Sequence, residues 1–295
     1  MYAEYPSLIK TVRVGHRKGA RFARGVAMLG LRGSIGLAIV LLVVAMAIAG
    51  PWLTLYDPIE VNVALRLRPP GSPHWLGTDE LGRDLLSRVI AGARLSLLSA
   101  AIVLAIGVST GSVLGAVSGY YGGRIDNLTM RATDVFLAFP ALLLAIIVST
   151  ALGPSLVNAA MAIGAVWWPG YARLVRGEFL SLRERAFVEA ARSLGSGDVR
   201  IISRHIFPNA MSPVLVKITI DVGYAILLTS SLSFIGLGAQ PPAPEWGAMV
   251  TSGRLYLLGY WWYSTFPGLA IFLAVLGFTM LGDTIRDILD PMLSR

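Results

Sequence analysis

Cysteine is absent from the 295-residue sequence, which excludes disulfides, thiolate metal sites and cysteine nucleophiles. Histidine is nearly absent: His16, His74 and His205 are far apart along the chain, so the sequence disfavours a histidine metal cluster. From these two absences we expect no metal site and no catalytic residue on this chain.

Lysine is also scarce, and its placement excludes another function. Lys10, Lys18 and Lys217 are the only lysines, and none lies in a Gly-x-x-x-x-Gly-Lys-Ser/Thr phosphate loop. We therefore expect that the chain neither binds nor hydrolyses ATP. A membrane-embedded hydrolase is disfavoured as well, because no histidine falls in a predicted membrane span and no serine lies in a nucleophile motif.

Charge is the next scarcity, and it indicates the fold class. Only 14% of the residues are charged while 55% are hydrophobic, and several charge-free runs reach the roughly 20 residues that a membrane-spanning helix needs. The run Val135–Ala172 is long enough for two spans joined by a turn at Gly153–Ser155. The sequence predicts an all-α polytopic membrane protein with six transmembrane helices, drawn from the runs Gly33–Trp52, Leu95–Gly123, Val135–Ala172, Asp221–Gly238 and Leu255–Gly282.

The basic residues are unevenly distributed between the ends of these spans. Residues 1–32 carry seven Lys/Arg against one acid, and Tyr171–Arg204 carries seven arginines against four acids. The loops Leu53–Gly92 and Gly236–Tyr263 are nearly balanced. By the positive-inside rule, both chain termini are predicted to be cytoplasmic. The net charge of +8 thus reports orientation in a lipid bilayer, and we expect no nucleic-acid partner.

The chain divides into four predicted parts. They are a basic cytoplasmic segment (1–32), a first transmembrane helix (33–52), an extracytoplasmic loop (53–93) and a core with five transmembrane helices (94–295). An amphipathic helix is predicted in the loop, capped by Thr78 or Asp79 and followed by apolar residues at helical spacing: Leu81, Leu85, Leu86, Val89 and Ile90. A cleaved signal peptide ending near "AMAIAG" is the alternative for the first span, but the basic lead is long for one.

A few charged residues lie in or near the spans. Pro140 predicts a kink in the third span, with Asp134 near that span's inner end. Lys217 and Asp221 are spaced i,i+4 in the fifth span, so they can pair on one helix face. Because charges inside a membrane are functional hypotheses, an ion-coupled secondary transporter that uses Asp134 and Asp221 is the alternative function.

A polar segment, "EAARSLGSGDVRIISRHIFPN", separates two of the apolar runs. Apolar residues recur at three- and four-residue steps up to Gly195, where the pattern predicts a helix end. Asp198 is predicted to cap a second short helix that Pro208 closes. We expect a helical hairpin in the cytoplasm, continuous with the fourth and fifth spans, whose first apolar stripe is Phe179, Leu182, Ala186, Ala190, Ala191 and Leu194.

The spacing of this hairpin resembles the "EAA" loop of ATP-binding-cassette importer permeases. The resemblance lies in Glu189-Ala190-Ala191, in the following Gly195 and in Pro208, nineteen residues after the glutamate. One position departs from the family pattern, since His205 stands where an aliphatic residue is usual. Three further segments resemble the C-type permeases of dipeptide, oligopeptide and nickel importers: "HWLGTDELGRDLLSRVIAGARLSL", "FIGLGAQPPAPEWGAMV" and "FPGLAIFLAVLGFTMLGDTIRDILDP".

The resemblance implies a type I importer permease fold in a bacterial or archaeal inner membrane. It implies a non-catalytic subunit that pairs with a homologous second permease, with two ATPase subunits that carry ATP and Mg, and with an extracytoplasmic substrate-binding protein. The expected substrates are di- or oligopeptides. A coupling loop at about residues 176–210 would contact the ATPase through Glu189, Ala190, Ala191, Gly195, Asp198 and Pro208.

The two extracytoplasmic loops are expected to gate the pathway or to contact the binding protein. Topology and the resemblance together support this expectation. The candidate residues are Asp79, Arg83, Asp84, Pro241, Pro242, Glu245 and Trp246.

Overall fold

The structure is a computed structural model that describes residues 30–289. Within that range the chain is helical and contains no β-strand, only an isolated bridge between Thr78 and Asp84. The predicted basic segment, apart from its last three residues, lies outside the described residues. The α-helices are α1 (Gly30–Leu53), α2 (Leu85–Tyr121), α3 (Gly123–Ala138), α4 (Ala141–Leu152), α5 (Leu156–Leu182), α6 (Ala186–Ser193), α7 (Asp198–Arg200), α8 (Phe207–Phe234), α9 (Trp246–Arg254) and α10 (Trp262–Leu289).

Four helices are long and apolar enough to cross a membrane: α1, α2, the continuous run Asp198–Phe234, and α10. The bent pair α3 and α4 gives a fifth if it counts as one span. The remaining predicted span corresponds to α5, which is not among them although it has 27 residues. Much of α5 is buried inside the protein, so its surface does not need to match lipid. The predicted count of six is therefore not reproduced by length and apolarity alone.

Proline and glycine break the chain where the sequence predicts. Pro140 follows the end of α3, and α3 and α4 are bent by 91° at this break, because the proline ring disfavours helical backbone in the residue before it. The predicted turn at Gly153–Ser155 separates α4 from α5, with Gly153 at φ +86°. The charge-free run Val135–Ala172 therefore folds as the end of α3, all of α4 and the first part of α5.

Helix α2 packs along α5 more extensively than any other pair of helices does. Four glycines spaced four residues apart, Gly107, Gly111, Gly115 and Gly119, form the contact face of α2. A Cβ atom at Gly111 would lie 2.4 Å from the Trp168 carbonyl oxygen. These small residues thus allow α2 and α5 to pack at close range.

The predicted amphipathic helix of residues 78–90 does not exist as a separate element. Helix α2 begins at Leu85 and runs without interruption to Tyr121. Its N-cap is Asp84, whose carboxylate accepts a hydrogen bond from the Ser87 N–H, rather than Thr78 or Asp79. The chain cannot be helical earlier because Gly82 has φ +75°.

The apolar core has two parts, one toward each end of the helices. We call residues 54–84 and 235–261 the cap. The larger cluster joins the cap to the helices and contains Leu85, Trp246 and Tyr263. We call residues 183–206 the polar loop. The smaller cluster joins this loop to the helices and contains Phe179, Ile201 and Ile206. Each candidate site therefore rests on an apolar base of its own.

Candidate functional site at the polar loop and the cap

The first half of the polar loop differs from the predicted continuous helix. Helix α5 ends at Leu182, and α6 starts at Ala186 after a break at Arg183–Arg185. The break changes the helical phase, so the predicted stripe does not persist across it. Val188 and Ala191 are buried, whereas Ala190 is exposed and Leu194 is 87% exposed.

Gly195 ends α6 as predicted, in a Schellman motif. Its φ is +78°, the Gly195 N–H donates to the Arg192 carbonyl at 3.0 Å, and the Ser196 N–H donates to the Ala191 carbonyl at 3.1 Å. These two bonds satisfy carbonyl groups that the helix end leaves free. No atom outside its chain neighbours lies within 4 Å of a Cβ built at Gly195, so the backbone conformation, not space, requires glycine.

The second half of the polar loop is part of a long helix. Helix α7 starts at Asp198 as predicted and passes through a π-helical segment, Ile201–Ile206, directly into α8. Pro208 lies in the first turn of α8, inside this run rather than at its end. Asp198 does not cap α7, because Gly197 occupies the N-cap position and Asp198 is the first helical residue. A shift at Asp198 can therefore reach Phe234 through one helix.

Two side chains that the sequence analysis missed attach the polar loop to the end of α2. The Tyr120 hydroxyl donates to Asp198 Oδ1 at 2.6 Å, across 78 residues. Arg183 Nη1 donates to the Gly119 carbonyl oxygen at 3.1 Å. No local spacing pattern signals either contact, because each joins residues far apart in the sequence.

The tip of the polar loop has an unusual surface for a charged segment. Leu194 and Val199, on either side of the Gly195 turn, are 87% and 77% exposed, and Phe187 is 41% exposed. Glu189 is exposed on the same short helix, α6, and forms no ion pair within the described residues. Large apolar side chains left exposed at an aqueous surface are typical of a protein-binding site.

The cap is organised around Asp79, which is fully buried. Its carboxylate accepts hydrogen bonds from Arg83 Nε at 2.6 Å and from the Leu81 and Arg83 backbone N–H groups at 2.9 Å each. Arg88 Nε lies 3.4 Å from the same carboxylate. Next to this cluster, the pKa of Glu80 is raised, mainly by burial and then by the Asp79 charge.

Arg88 connects two parts of the cap that are distant in sequence. Its Nη1 donates to the Pro58 carbonyl at 2.7 Å and approaches the Pro242 carbonyl at 3.5 Å. At the next residue, the Trp246 indole donates to the Val89 carbonyl at 2.9 Å. The start of α2 thus holds the loop before it and the loop before α9 together.

The other predicted cap residues also have internal partners. Glu245 is buried and caps α9, accepting from the Gly247 and Ala248 N–H groups at 2.9 Å each. Asp84 accepts from His74 Nδ1 at 2.9 Å. Five members of the predicted set are buried among these internal partners: Asp79, Arg83, Asp84, Glu245 and Trp246. A contact of the set with a binding protein stays a prediction. Pro241 and Pro242 are exposed, and a gating role for the cap stays a prediction.

The two aspartates of the alternative function lie apart and have partners. Asp134 pairs with Arg173 at the protein surface. Asp221 is buried and accepts from Lys217, from the Trp167 indole at 2.9 Å and from the Tyr171 hydroxyl at 2.8 Å. The predicted Lys217–Asp221 pair is confirmed, at 3.0 Å. A carboxylate with three donors is a poor site for reversible ion binding, so the structure does not favour ion-coupled transport.

The described residues contain no group of three or more His, Asp or Glu side chains that could hold a metal ion. What the structure does present is an exposed apolar tip at one end and an internally bonded cap at the other.

Comparison with known proteins identifies the family. The family described as "Binding-protein-dependent transport system inner membrane component" matches residues 111–295, well over half of the chain. The chain belongs to this family. A second family, the "N-terminal TM domain of oligopeptide transport permease C", matches residues 33–70, so the two matches together span most of this inner membrane transport component.

Individual relatives agree with the family. The chain is 45% identical over 286 residues to the "Probable D,D-dipeptide transport system permease protein" of Escherichia coli, covering 96% of each chain. It is 46% identical over 257 residues to the dipeptide transport system permease protein of Alkalihalophilus pseudofirmus, covering 87% of this chain and 84% of the relative. The resemblance to peptide-importer permeases inferred from the motifs is thereby confirmed.

A solved structure supports the fold. An inward-facing form of the MetNI methionine ABC transporter matches with a TM-score of 0.52 and 19% identity, covering 70% of this chain and 96% of the matched chain. At this identity the match concerns the fold alone. It agrees with an importer permease architecture.

Proposed function

We propose that the chain is a permease subunit of an ATP-driven, binding-protein-dependent importer of di- or oligopeptides. It forms half of the translocation pathway, together with a homologous second permease. ATP and Mg are bound by two separate ATPase subunits, and a binding protein outside the membrane delivers the substrate. The polar loop faces the cytoplasm in this arrangement, as its arginine content supports.

The observation that carries this proposal is the exposed apolar tip of the polar loop. Leu194 and Val199 gain little by facing water, but they fit the apolar centre of a protein interface. Glu189 is exposed on α6, on a different face from Phe187, and offers a charge for the rim of the interface. We therefore assign the tip as the contact with the ATPase.

Motion would pass from this contact to the membrane through α8. Residues 198–234 form one helix, and the Tyr120–Asp198 hydrogen bond links its start to α2. A displacement of the tip during the ATPase cycle would then move both helices together. The predicted coupling residues together shape this tip and hold it in place, although only some of them are exposed to a partner. They are Glu189, Ala190, Ala191, Gly195, Asp198 and Pro208.

Cross-linking tests the contact, and the absence of natural cysteine makes the experiment clean. Leu194→Cys in the assembled complex is expected to cross-link to the ATPase subunit with a short thiol-to-amine reagent. The control is Leu258→Cys, because Leu258 is fully exposed but belongs to the cap. No cross-link from Leu194→Cys in an intact complex would contradict the proposal.

Charge reversal tests coupling. Glu189→Lys is expected to lower peptide uptake into proteoliposomes about tenfold, because it places the wrong charge at the interface, while the complex still hydrolyses ATP. Glu184→Lys is the matched control, since Glu184 is exposed on the same loop but lies in the break before α6. Equal uptake by the two variants would argue against the role of Glu189.

A further inference from the structure

A pocket of about 400 Å³ opens between α5, α8 and α10, toward the polar-loop end of the helices. Its lining combines two cationic residues, Lys217 and Arg286, with apolar residues that include Leu174, Val216 and Ile220. Asp221 is the one acidic residue of the lining. The pocket is thus amphipathic, with an excess of positive charge.

The Asp221 carboxylate already has three partners inside the protein. The carboxylate accepts from Trp167, Tyr171 and Lys217 and is 4% exposed as a residue. Arg286 is exposed and makes no ion pair with any carboxylate of the described residues. One guanidinium therefore faces the pocket without a counter-charge from the described part of the chain.

Helix contacts fix the depth of the pocket in the membrane. Gly36 of α1 packs on Leu281 of α10, and the helices are antiparallel, so Arg286 comes level with Arg32. Arg32 is the last charged residue before the charge-free run of α1. Lys217 lies at nearly the same height, since Gly282 packs against Ile220, one turn away. Both cations thus lie at the level where the hydrocarbon begins.

We propose that this pocket binds the phosphate headgroup of an anionic phospholipid from the leaflet on the polar-loop side. Arg286 and Lys217 contact the phosphate, and an acyl chain lies along Leu174, Val216 and Ile220. Basic pockets between transmembrane helices at this leaflet suit such headgroups. The basic segment 1–32 of the same chain is a poor occupant, because its seven Lys/Arg would be repelled.

The position of the pocket gives the bound lipid a route to the ATPase contact. Lys217 lies on the helix that continues to Asp198 at the polar loop. A bound anionic lipid would restrict the motion of this helix and raise the uptake per ATP hydrolysed. This consequence rests on the proposed function. Lipid binding itself does not depend on it.

Direct lipid binding is the first test. The purified complex, stripped of lipid, is titrated with phosphatidylglycerol or with phosphatidylcholine of the same acyl chains, and bound lipid is counted by native mass spectrometry. Arg286→Gln is expected to weaken phosphatidylglycerol binding about fivefold and to leave phosphatidylcholine binding unchanged, as loss of one lipid-facing cation predicts. Arg124→Gln is the control, because Arg124 is exposed outside the pocket.

Three results would overturn the proposal. They are unchanged phosphatidylglycerol binding in Arg286→Gln, an equal loss in Arg124→Gln, and displacement of the lipid by a peptide carboxylate, which would assign the pocket to the substrate pathway. Uptake measured in phosphatidylglycerol liposomes separates the two proposals. If Arg286→Gln loses phosphatidylglycerol binding but takes up peptide normally, the pocket is a lipid site and the lipid has no role in coupling.

Discussion

The polar loop and the cap lie at opposite ends of the same helices but are stabilised by different interactions. The cap buries charge: Asp79 is fully enclosed with Arg83 and Arg88 around it. The polar loop buries Val188, Ile201 and Ile206 and exposes both its charges and several large apolar side chains. The contrast suggests that the cap is a rigid internal framework, whereas the polar loop is shaped to complete its packing on another protein.

The largest effect on this contrast is expected from Asp79→Ala in the cap. It leaves the buried Arg88 without a carboxylate and Arg83 with only the 3.3 Å contact to Glu80, which costs about 3–5 kcal/mol. The apparent Tm of the detergent-solubilised protein, measured by the loss of its size-exclusion peak, should fall sharply. Glu60→Ala, at an exposed cap carboxylate, and Glu189→Ala in the polar loop should leave it unchanged. Equal falls in Tm for all three variants would contradict the difference between the cap and the polar loop.

Gly195→Ala should produce the next largest effect, confined to the polar loop. An alanine at φ +78° costs about 1–2 kcal/mol, which loosens the end of α6 without unfolding the helices. Uptake per ATP hydrolysed should fall in proteoliposomes while the Tm stays close to the parent value. Gly197→Ala is the matched control, since Gly197 has φ −71° and an open surround. A normal coupling ratio in Gly195→Ala would separate the Schellman turn from function.

Tyr120→Phe tests the link between the polar loop and α2. It removes the hydrogen bond to Asp198, which is worth about 1 kcal/mol. Amide hydrogen exchange should quicken in residues 198–206 and stay unchanged in the cap. Tyr121→Phe is the control, because Tyr121 is half-exposed and its hydroxyl has no partner in the described structure. Identical exchange in the two variants would show that the link does not hold the loop.

Glu80→Gln should change the Tm least of these variants, and it should raise the Tm instead of lowering it. Burial raises the pKa of Glu80, and its Oε2 has no hydrogen-bond partner within the described residues. A raised carboxyl pKa means that the folded protein favours the protonated form, so its stabilising contribution is lost as pH rises through the folded pKa. The variant should raise Tm by no more than ~2 °C at neutral pH, and the difference should shrink in acid. A variant less stable than the parent at neutral pH would reject this assignment.

The elements that depended on local pattern were predicted well. The first span, predicted at 33–52, corresponds to α1 at Gly30–Leu53, and the turn at Gly153–Ser155 and the Gly195 helix end are in place. Lys217 and Asp221 pair as their spacing predicts. Each of these features is set by residues within one or two helical turns, where backbone geometry and apolar spacing decide the outcome.

The errors came from places where a distant contact outweighs the local pattern. Leu85 to Ile90 have amphipathic spacing, yet they lie inside one long helix whose start packs under Trp246. The sequence pattern predicts Asp198 as an N-cap, yet Gly197 occupies that position and the Asp198 carboxylate accepts from Tyr120. Asp79 and Glu245 look like surface charges in a loop, yet both are buried by internal donors.

Hydropathy, charge bias and short motifs are local properties of the chain, so the amino-acid sequence alone indicates a helical membrane protein, the place of its polar loop and the importer family that it resembles. Which charges are internal and which side chains are exposed depends on the packing of the whole fold. Arg88 contacts the Pro242 carbonyl across 154 residues, and Lys217 and Arg286 line one pocket at the same membrane depth. Those pairings depend on how the helices pack, and no spacing within a single helix encodes them.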